Sequence, residues 1–541
     1  MQHPSVRFGD VAFAMLTNTR DETLGSLLAG AAEEVGSRTF LVEEGHAISF
    51  SEMKRRADAV SSALLGRGYI PGERVAIAGT NQSAWVEALL GVTQVGMVLV
   101  TLNVRYRREE LTYMLEHSGA SAVITPSSHQ GFDLAGLYRD LRQELHSLRD
   151  VFFLDEVPGE ASFAELRAGG NADSADAMAA VTAEAPAIIL FTSGTTGRPK
   201  GATITHRSII ASGRAQAEHF GMLPDDRMCG HMPFNHVGGV TCTLVASLVA
   251  RSSVALLENF TPRGAIELIA HGGLTLFSGV PTMFVLMLAD PSFPDLDTSA
   301  IRLLVAGGAN VEPSLLAKMR NAFPSARICN LYGLSETSGA CIISPLDDSD
   351  EEVASTLGKA IGNFELRAVG PSGHPVEAGS DGELMVKGDC VVQGYWEDPA
   401  ATAEAINAQG WLSTGDIVSL SPDGHVTLRG RRKEMFIQGG YNVYPVEVEN
   451  VLTSHPRVAM AAGIGVPDPV LGEVGRYYIV PQGDIAPSPD ELNAYCMERL
   501  ADYKVPREYV FAKALPLTPV GKIQKAVLSE AVSGEIFRPR R

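Results

Sequence analysis

The stretch FTSGTTGRPKG, from Phe191 to Gly201, combines glycines, hydroxyl side chains and one lysine, which are the groups that hold a phosphate. Its spacing differs from that of a Walker A loop, where Gly-Lys-Ser/Thr follows a first glycine and four residues at the start of a helix. Here Gly201 follows Lys200, and the next residues, GATITH, alternate like a strand that ends at Thr205, a helix cap. We therefore expect a loop between two strands, in which backbone N–H groups, hydroxyls and Lys200 hold a mobile polyphosphate without a helix dipole.

Single residues elsewhere carry groups that would complete such a site. Glu336 in YGLSET is a carboxylate of the kind that Mg²⁺ prefers, and Lys522 in PVGKIQK stands at an expected loop tip. Asp416 in STGD and His236 in MPFNHVGG are the other candidates. Each has an ordinary explanation when taken alone: a solvated acid, a surface lysine, a turn residue or a structural histidine. No one of these residues assigns a function by itself.

As a set, these motifs resemble the adenylate-forming superfamily, which includes acyl-CoA synthetases, peptide-synthetase adenylation domains and beetle luciferases. The motifs follow the order of that family over most of the chain: FTSGTTGRPKG, MPFNHVGG, VAGGAN, NLYGLSET, GELMVKG, GYWEDPAAT, GWLSTGD, GRRKEMFIQGGYNVYPVEVE and PVGKIQK. The resemblance implies an ATP-dependent carboxylic acid:CoA ligase, with ATP, Mg²⁺ and coenzyme A as its reactants and cofactor. The acid would first form an acyl-AMP with release of pyrophosphate, and the CoA thiol would then displace AMP.

The resemblance also implies the residues that stabilise the charge of the first step. The 192–200 loop would hold the β- and γ-phosphates, Glu336 would position Mg²⁺, and Lys522 would reach the α-phosphate and the acyl oxygen. Tyr332 would stack on adenine, and Asp416 and Arg431 would bond the ribose hydroxyls. The implied catalytic residues are Lys522, Glu336, His236 and Thr192. The implied ATP-binding residues are Thr192, Ser193, Gly194, Thr195, Thr196, Gly197, Lys200, Gly307, Gly308, Ala309, Asn330, Tyr332, Gly333, Thr337, Asp416, Arg431 and Lys522.

The acid substrate is implied to lie beside His236, at the border of the thiol channel. The neighbouring small residues Gly238, Gly239, Gly339 and Ala340 are expected to leave room for a bulky or ring-shaped apolar acid. No basic residue occupies these motif positions, which disfavours a diacid. The expected acid is therefore an uncharged aromatic, alicyclic or medium-chain one. The implied acid-binding residues are His236, Val237, Gly238, Gly308, Gly333, Gly339 and Ala340.

The resemblance places a hinge at Lys433, where many relatives carry aspartate and others lysine. After adenylation, the small domain would rotate there, withdraw the Lys522 loop and present Gly439 and Gly440 to the pantetheine of CoA. A glycine at that face allows close backbone approach; otherwise the pair is an ordinary turn before Tyr441.

The elements that must position these residues have an α/β pattern. Ser49 and Glu52 have the spacing of a capping box, and RVAIAG, Ser83–Val95 and MVLVTL read as strand, helix and strand. Such alternation predicts a parallel sheet covered by helices, with ligands at the carboxyl ends of its strands. Three later apolar runs end in small or polar residues: 187–191, 301–306 and 328–331.

From about Gly430 the pattern changes to a charge cluster, a glycine pair, a helix opened by Pro445 and a helix capped by Ser488 and Glu491. We expect a large N-terminal domain of parallel and mixed sheets with a small β subdomain, over residues 1–432. A small mobile α+β domain with the catalytic lysine is expected over residues 433–541.

Composition bounds the function. The chain has 541 residues, 45% of them hydrophobic, which indicates a globular protein of two to four domains. Its net charge of -19 disfavours nucleic acid as a partner, since a polyanion needs a cationic surface.

The 6 cysteines form no CxxC pair, which favours a reducing, cytoplasmic compartment. No secretory signal is visible, and the apolar stretch 88–104 reads as a buried helix and strand rather than a membrane span. The tail FRPRR reads as a solvated basic end, and the protein is expected to be a monomer or homodimer.

Three other functions compete with the CoA ligase. The nearest is a stand-alone adenylating enzyme that loads an acyl carrier protein in trans. A catalytically silent acyl-nucleotide binding protein is a different class, against which Glu336, Lys200 and Lys522 argue. An oxygenating, luciferase-like role is remote.

Overall fold

The structure is a computed structural model that describes residues 21–192, 198–308, 311, 313–483, 485–518, 523–532 and 534–539. The α-helices are α1 (Leu24–Val35), α2 (Phe50–Gly66), α3 (Ser83–Thr93), α4 (Arg108–Ser118), α5 (Leu134–Glu144), α6 (Phe163–Ala168), α7 (Ala175–Ala180), α8 (His206–His219), α9 (Val237–Gly239), α10 (Ala246–Ala250), α11 (Pro262–His271), α12 (Pro281–Leu288), α13 (Pro313–Ala322), α14 (Asp350–Ser355), α15 (Pro399–Ala405), α16 (Pro445–Thr453), α17 (Pro489–Met497) and α18 (Leu528–Ala531). A π-helix spans Val240–Val245, and 3₁₀ turns span Phe293–Asp295, Ser335–Thr337, Asp502–Lys504 and Lys525–Val527.

The strands are β1 (Thr39–Glu43), β2 (His46–Ser49), β3 (Arg74–Ala78), β4 (Val98–Leu102), β5 (Ala122–Thr125), β6 (Ser128–His129), β7 (Phe132–Asp133), β8 (Asp150–Phe153), β9 (Pro186–Thr192), β10 (Lys200–Thr205), β11 (Arg227–Gly230), β12 (Ser253–Leu256), β13 (Leu276–Gly279), β14 (Leu303–Gly307), β15 (Arg327–Leu334), β16 (Gly339–Ile343), β17 (Lys359–Ala360), β18 (Glu365–Val369), β19 (Asp381–Lys387), β20 (Gly394–Tyr395), β21 (Leu412–Leu420), β22 (Val426–Arg431), β23 (Phe436–Gln438), β24 (Tyr441–Val443), β25 (Val458–Asp468), β26 (Gly472–Pro481), β27 (Glu508–Phe511) and β28 (Ile536–Phe537).

Two large sheets form the N-terminal part. The first has the strand order β20-β10-β9-β4-β3-β5-β8, in which the strands from β9 to β8 are parallel. The second has the order β17-β16-β15-β14-β13-β11-β12-β1-β2, in which the strands from β15 to β1 are parallel. Beside these parallel strands, β10 pairs antiparallel with β9 in the first sheet and β16 pairs antiparallel with β15 in the second. The expected fold class, parallel and mixed sheets covered by helices, is confirmed.

A four-stranded antiparallel sheet, β18-β19-β21-β22, is the expected small β subdomain. It is followed by a six-stranded mixed sheet, β24-β23-β26-β27-β28 with β25 on β26, packed against α16 and α17. The two apolar clusters of this last part draw all their members from Phe436 onward, whereas the larger clusters end at Val426 or earlier among their buried members. The C-terminal part therefore has a core of its own.

Local predictions from capping and alternation agree with the structure. The Ser49 hydroxyl accepts a hydrogen bond from the Glu52 N–H at 3.1 Å and starts α2, and Thr205 caps α8 in the same way. Residues 88–104 are the end of buried α3 and the buried strand β4. No helix in the described ranges has the length and apolar character needed to cross a membrane.

The structure adds to the sequence patterns at two segment ends. The apolar run 328–331 does not stop before Tyr332: β15 continues to Leu334, because β16 pairs with it through Leu334 and Gly339. The tail is also not wholly solvated. β28 pairs with β27, and the Arg538 guanidinium donates to Glu508 Oε1 at 2.7 Å.

Candidate functional site

The glycine- and hydroxyl-rich loop connects two strands, as the alternation after it predicts, and the structure pairs them antiparallel. Thr192 ends β9 and lies opposite Lys200, which begins β10. The Thr192 hydroxyl donates to the Lys200 carbonyl at 3.4 Å. The predicted phosphate ligands Ser193, Gly194, Thr195, Thr196 and Gly197 lie outside the described residues.

Lys200 and Glu336 are brought together by a tyrosine that the sequence analysis did not single out. Strand β20 pairs with β10, and this places Tyr395 opposite Ala202. The Lys200 ammonium lies 5.1 Å from the centre of the Tyr395 ring, and the Tyr395 hydroxyl donates to Glu336 Oε1 at 2.8 Å. Burial, together with the charge of Glu336, raises the pKa of Tyr395, so this hydroxyl keeps its proton. The only signal for Tyr395 in the sequence is its place in the motif GYWEDPAAT.

The three residues predicted for adenine and ribose also meet. Asp416 and Arg431 are opposite each other on β21 and β22, and Arg431 Nε lies 3.2 Å from Asp416 Oδ1. The Tyr332 hydroxyl donates to the other carboxylate oxygen of Asp416 at 2.5 Å. Burial raises the pKa of Asp416, although the charge of Arg431 acts in the opposite direction. Tyr332 is thus tied by its hydroxyl to the carboxylate that was predicted to bind ribose.

Asn330 and Thr337, two further predicted nucleotide ligands, have side chains engaged with nearby backbone. The Asn330 amide donates to the Thr356 carbonyl at 2.9 Å and to the Val353 carbonyl. The Thr337 hydroxyl is fully buried and donates to the Gly339 carbonyl at 2.7 Å. Both side chains hold the segments around β15 in place. Their direct contact with a nucleotide stays a prediction.

The predicted adenine-facing glycines end β14. A Cβ at Gly307 would lie 3.0 Å from the Leu331 carbonyl oxygen of the adjacent strand, and Gly308 has a φ of +79°. Glycine is therefore favoured at both positions by the backbone itself. Ala309 lies outside the described residues.

His236 precedes a short helix that continues as a π-helix. Its Nδ1 accepts the Gly238 N–H at 3.1 Å, so it is the N-cap of α9, and the following residues Val240–Val245 are buried. A neutral imidazole that accepts at Nδ1 carries its proton on Nε2. Breaks from regular helix geometry of this kind are frequent at functional sites.

The glycines near His236 do not all leave open space. A Cβ at Gly239 would lie 2.2 Å from the Pro233 carbonyl oxygen, and a Cβ at Gly333 would lie 2.0 Å from the Gly339 carbonyl oxygen. Gly339 has a φ of +143°, and its Cβ would lie 2.7 Å from the Ser212 hydroxyl. The expectation that Gly239 and Gly339 leave room for the acid was therefore wrong, because protein atoms fill that space. A Cβ at Gly238 would meet only the Met232 methyl at 3.2 Å and the His236 ring at 3.4 Å.

The glycine pair predicted to face CoA forms a tight hairpin between β23 and β24. Gly439 and Gly440 have φ values of +58° and +87°, the pattern of a type I′ turn, which strongly favours glycine. A Cβ at Gly440 would have no atom within 4 Å. The adjacent Tyr441 is 59% exposed and stacks on Tyr503. Lys433 lies between Arg431 and β23, and Lys522 lies outside the described residues.

A group of three side chains with metal-ligating atoms lies elsewhere in the described part of the chain: Asp348, Glu352 and His425. His425 Nε2 is 3.1 Å from Asp348, and its Nδ1 is 2.7 Å from Asp423. Burial alone would lower the pKa of His425, but its hydrogen bonds to the two aspartates outweigh burial and raise it. This group is an ion-pair network at the start of β22. Arg431, of the predicted nucleotide site, is at the opposite end of the same strand.

Known protein families and solved structures are similar to this chain over most of its length. A profile of the AMP-binding enzyme family matches residues 28–396, and a profile of the AMP-binding enzyme C-terminal domain matches residues 447–522. A 3-[(3aS,4S,7aS)-7a-methyl-1,5-dioxo-octahydro-1H-inden-4-yl]propanoyl:CoA ligase of Rhodococcus jostii is 34% identical over 94% of this chain and 98% of its own. A feruloyl-CoA synthase of Amycolatopsis is 34% identical over the same shares. The crystal structure of the anthranilate CoA ligase AuaEII with anthranoyl-AMP is similar, with a TM-score of 0.85, 25% identity, and coverage of 94% of this chain and 97% of the other.

Proposed function

Because the chain belongs to the AMP-binding enzyme family and is an ATP-dependent carboxylic acid:CoA ligase, we propose which acid it activates and which residues do so. In the reaction, a carboxylate oxygen attacks the α-phosphorus of ATP and pyrophosphate leaves. The CoA thiol then attacks the acyl carbon, loses its proton, and displaces AMP. The substrate proposed is an uncharged acid with an aromatic, alicyclic or medium-chain body.

One observation carries the assignment of residues. Two clusters form from residues that are far apart in the sequence: Lys200 with Tyr395 and Glu336, and Tyr332 with Asp416 and Arg431. Tyr332 and Glu336 are four residues apart, so the two clusters are linked by a segment of at most about 14 Å. This arrangement suits one extended ligand with a polyanionic end and a nucleoside end.

In the first half-reaction, Lys200 and the Thr192 loop hold the departing phosphates, and Lys522 stabilises the charge at the α-phosphate. Asp416 accepts hydrogen bonds from the ribose hydroxyls while Arg431 keeps its carboxylate in place. Tyr332 lies against the adenine, next to Gly307 and Gly308. Mutagenesis of such preorganised donors and cations in other enzymes changes rates by about 10²–10³-fold.

Glu336 is the proposed ligand of Mg²⁺. Its side chain is half-buried, and its Oε1 is oriented by a neutral hydroxyl rather than neutralised by a direct ion pair with a lysine or arginine in the described residues. A single carboxylate together with substrate phosphates is a common set of Mg²⁺ ligands. When bound, the ion neutralises charge on the leaving pyrophosphate.

The second half-reaction depends on a proposed hinge at Lys433, between domains of residues 1–432 and 433–541. The separate C-terminal core, which begins at Phe436, supports this boundary. Rotation there would replace the Lys522 loop by the Gly440 turn, whose open space admits a pantetheine chain. Free thiols at all six cysteines, each in the described ranges, support a cytoplasmic location.

The acid class rests on the residues near His236. The segments 234–241 and 333–340 contain no lysine or arginine that would pair with a second carboxylate. The relatives from Rhodococcus jostii and Amycolatopsis, each 34% identical, are named for acids with ring systems, a fused bicyclic propanoate and ferulate. Gly238, where a Cβ would meet only the side chains of Met232 and His236, is the position proposed to face the ring.

A panel of acids in the acid-dependent ATP–pyrophosphate exchange assay tests the proposal. We expect exchange with cinnamate-type, alicyclic or medium-chain acids and little with dicarboxylic acids, and thioester only when CoA is added. Exchange driven best by a dicarboxylic acid would contradict the acid class. Thioester formed on an acyl carrier protein in preference to CoA would favour the rival acceptor.

A further inference from the structure

Lys525 has its ammonium enclosed by two carboxylates. It lies 2.7 Å from Glu434 Oε2 and 2.8 Å from Glu449 Oε1, and only 17% of its side chain is exposed. Burial would lower the pKa of Lys525, but the two carboxylates outweigh burial and raise it. Lys525 is therefore a charged side chain in a largely enclosed ion cluster.

Glu449 is the most enclosed member of this cluster. It also accepts the Gly463 N–H at 2.6 Å, and burial raises its pKa against the opposing charge of Lys525. A carboxylate in such a place needs a cation, because an unpaired buried charge is strongly destabilising. The cluster is thus fixed in the C-terminal core by α16 and β25, which carry Glu449 and Gly463.

The other two members, Lys525 and Glu434, connect this core to the segments that carry Lys522 and Lys433. Lys525 is three residues after Lys522, a distance that the chain spans with at most about 11 Å. Glu434 is next to Lys433, and its N–H donates to the Arg431 carbonyl at 3.0 Å.

The segment that carries Lys522 is also closed at its base. Leu517 and Ile523 form a β-bridge, and the Gln524 N–H donates to the Pro516 carbonyl at 2.9 Å. Lys525 follows this base directly. The ion cluster therefore joins the base of the lysine loop to the residue next to the proposed hinge.

We propose that Lys525 is a positioning residue for the adenylation step. By holding the loop base against Glu434 and Glu449, it makes the Lys522 segment move as one body with the segment that follows Lys433. The precision with which Lys522 reaches the α-phosphate then depends on an ion cluster that touches no substrate. This inference rests on the proposed roles of Lys522 and Lys433.

The test compares the two half-reactions in the full-length enzyme. Lys525→Gln is expected to lower acid-dependent ATP–pyrophosphate exchange by about tenfold or more, because small misplacements of a catalytic group are costly. Thioester formation from supplied acyl-AMP should stay within about threefold of the wild type, since Lys522 has left the site in that step. Lys525→Arg, which keeps the charge and both ion pairs, should restore most of the exchange.

Because Lys525→Gln leaves Glu449 without its cation, Glu434→Gln is the second variant. It removes the link to the hinge segment and keeps the Lys525–Glu449 pair, so we expect slower exchange at an unchanged melting temperature. Lys504→Gln is the matched control: it breaks the pair between Lys504 and Glu447 on the same helix, which is 2.6 Å long and, among the described residues, includes neither Lys525 nor Glu434. It should leave exchange unchanged.

Equal loss of both half-reactions in Glu434→Gln and Lys525→Gln, in proportion to the fall in melting temperature, would overturn the inference. Unchanged exchange in both variants would overturn it as well. Lys522→Ala, measured in parallel, separates the two proposals. If Lys522→Ala loses exchange and the Lys525 and Glu434 variants do not, only the positioning role fails; if Lys522→Ala keeps exchange, the role of Lys522 itself is wrong.

Discussion

Tyr395 connects the two charges that are proposed to meet the phosphates and Mg²⁺. Its ring lies under the Lys200 ammonium, and its hydroxyl orients Glu336. Because burial keeps this hydroxyl protonated, it donates to the carboxylate over the whole neutral pH range. A carboxylate fixed in this way presents its other oxygen in one orientation, which is what a metal ligand requires.

Tyr395→Phe should weaken this arrangement without removing the ring. A hydrogen bond to a charged group contributes about 1.5–3 kcal/mol, so we expect kcat/KM for MgATP in the exchange assay to fall about tenfold or more. Tyr395→Leu should be lower still, by a further factor of about 2–5, because it also loses the cation–π contact. Tyr495→Phe, which removes an exposed tyrosine hydroxyl in the C-terminal part, is the control. A Phe variant with wild-type kcat/KM would show that the hydroxyl does not serve the metal site.

The residues of the candidate site differ in how far the sequence predicts them. Glu336, Asp416 and Arg431 stand in motifs whose resemblance names their roles. Tyr395 was not found, because its position depends on the pairing of β20 with β10, two strands that are almost two hundred residues apart. Such a pairing is a property of the sheet, and no local pattern of the sequence specifies it.

At the scale of elements, alternation and caps predicted helices α2 and α3 and the parallel strands β3, β4 and β9 of the first sheet. Local patterns do not specify how far β15 extends, because its antiparallel partner β16 decides that. Strand β15 continues past Tyr332 because β16 pairs antiparallel with it. The pairing register shifts between Tyr332 and Gly333, and a Cβ at Gly333 would lie 2.0 Å from the Gly339 carbonyl oxygen. The glycines there are needed for backbone packing, whereas sequence alone suggests an open pocket.

The segment after His236 offers a direct comparison of two adjacent glycines. Gly239→Ala places a Cβ 2.2 Å from the Pro233 carbonyl and 2.4 Å from the Met232 carbonyl, and a backbone cannot yield as a side chain does. Overpacking of this kind costs about 1–3 kcal/mol, so we expect a lower melting temperature and less activity with every acid. Gly238→Ala meets a flexible methionine, and should keep the melting temperature while it changes the order of preference among acids. Thermal unfolding and the acid panel measure the two effects; equal stability of both variants would contradict the packing argument.

At the scale of the whole molecule, the chain has one large part with three sheets that hold the two ligand clusters, and a C-terminal part with its own core. The resemblance and the change of pattern near Gly430 predict domains of residues 1–432 and 433–541, and this boundary stays a prediction. The type I′ turn of Gly439 and Gly440 shows why the glycine pair is required by geometry alone, so its proposed role toward CoA needs a functional test. If one site serves both half-reactions, Lys522 acts in acyl-AMP formation and Gly440 acts in thioester formation.

The most direct test measures both half-reactions in Lys522→Ala and Gly440→Leu. We expect Lys522→Ala to lose acid-dependent ATP–pyrophosphate exchange by about 10²-fold or more while thioester formation from supplied acyl-AMP is largely kept. Gly440→Leu should give the opposite pattern, and Gly483→Leu, at a position that also has positive φ and open space, should affect neither step. Loss of the same half-reaction in Lys522→Ala and Gly440→Leu, or equal loss of both steps in each, would contradict the account.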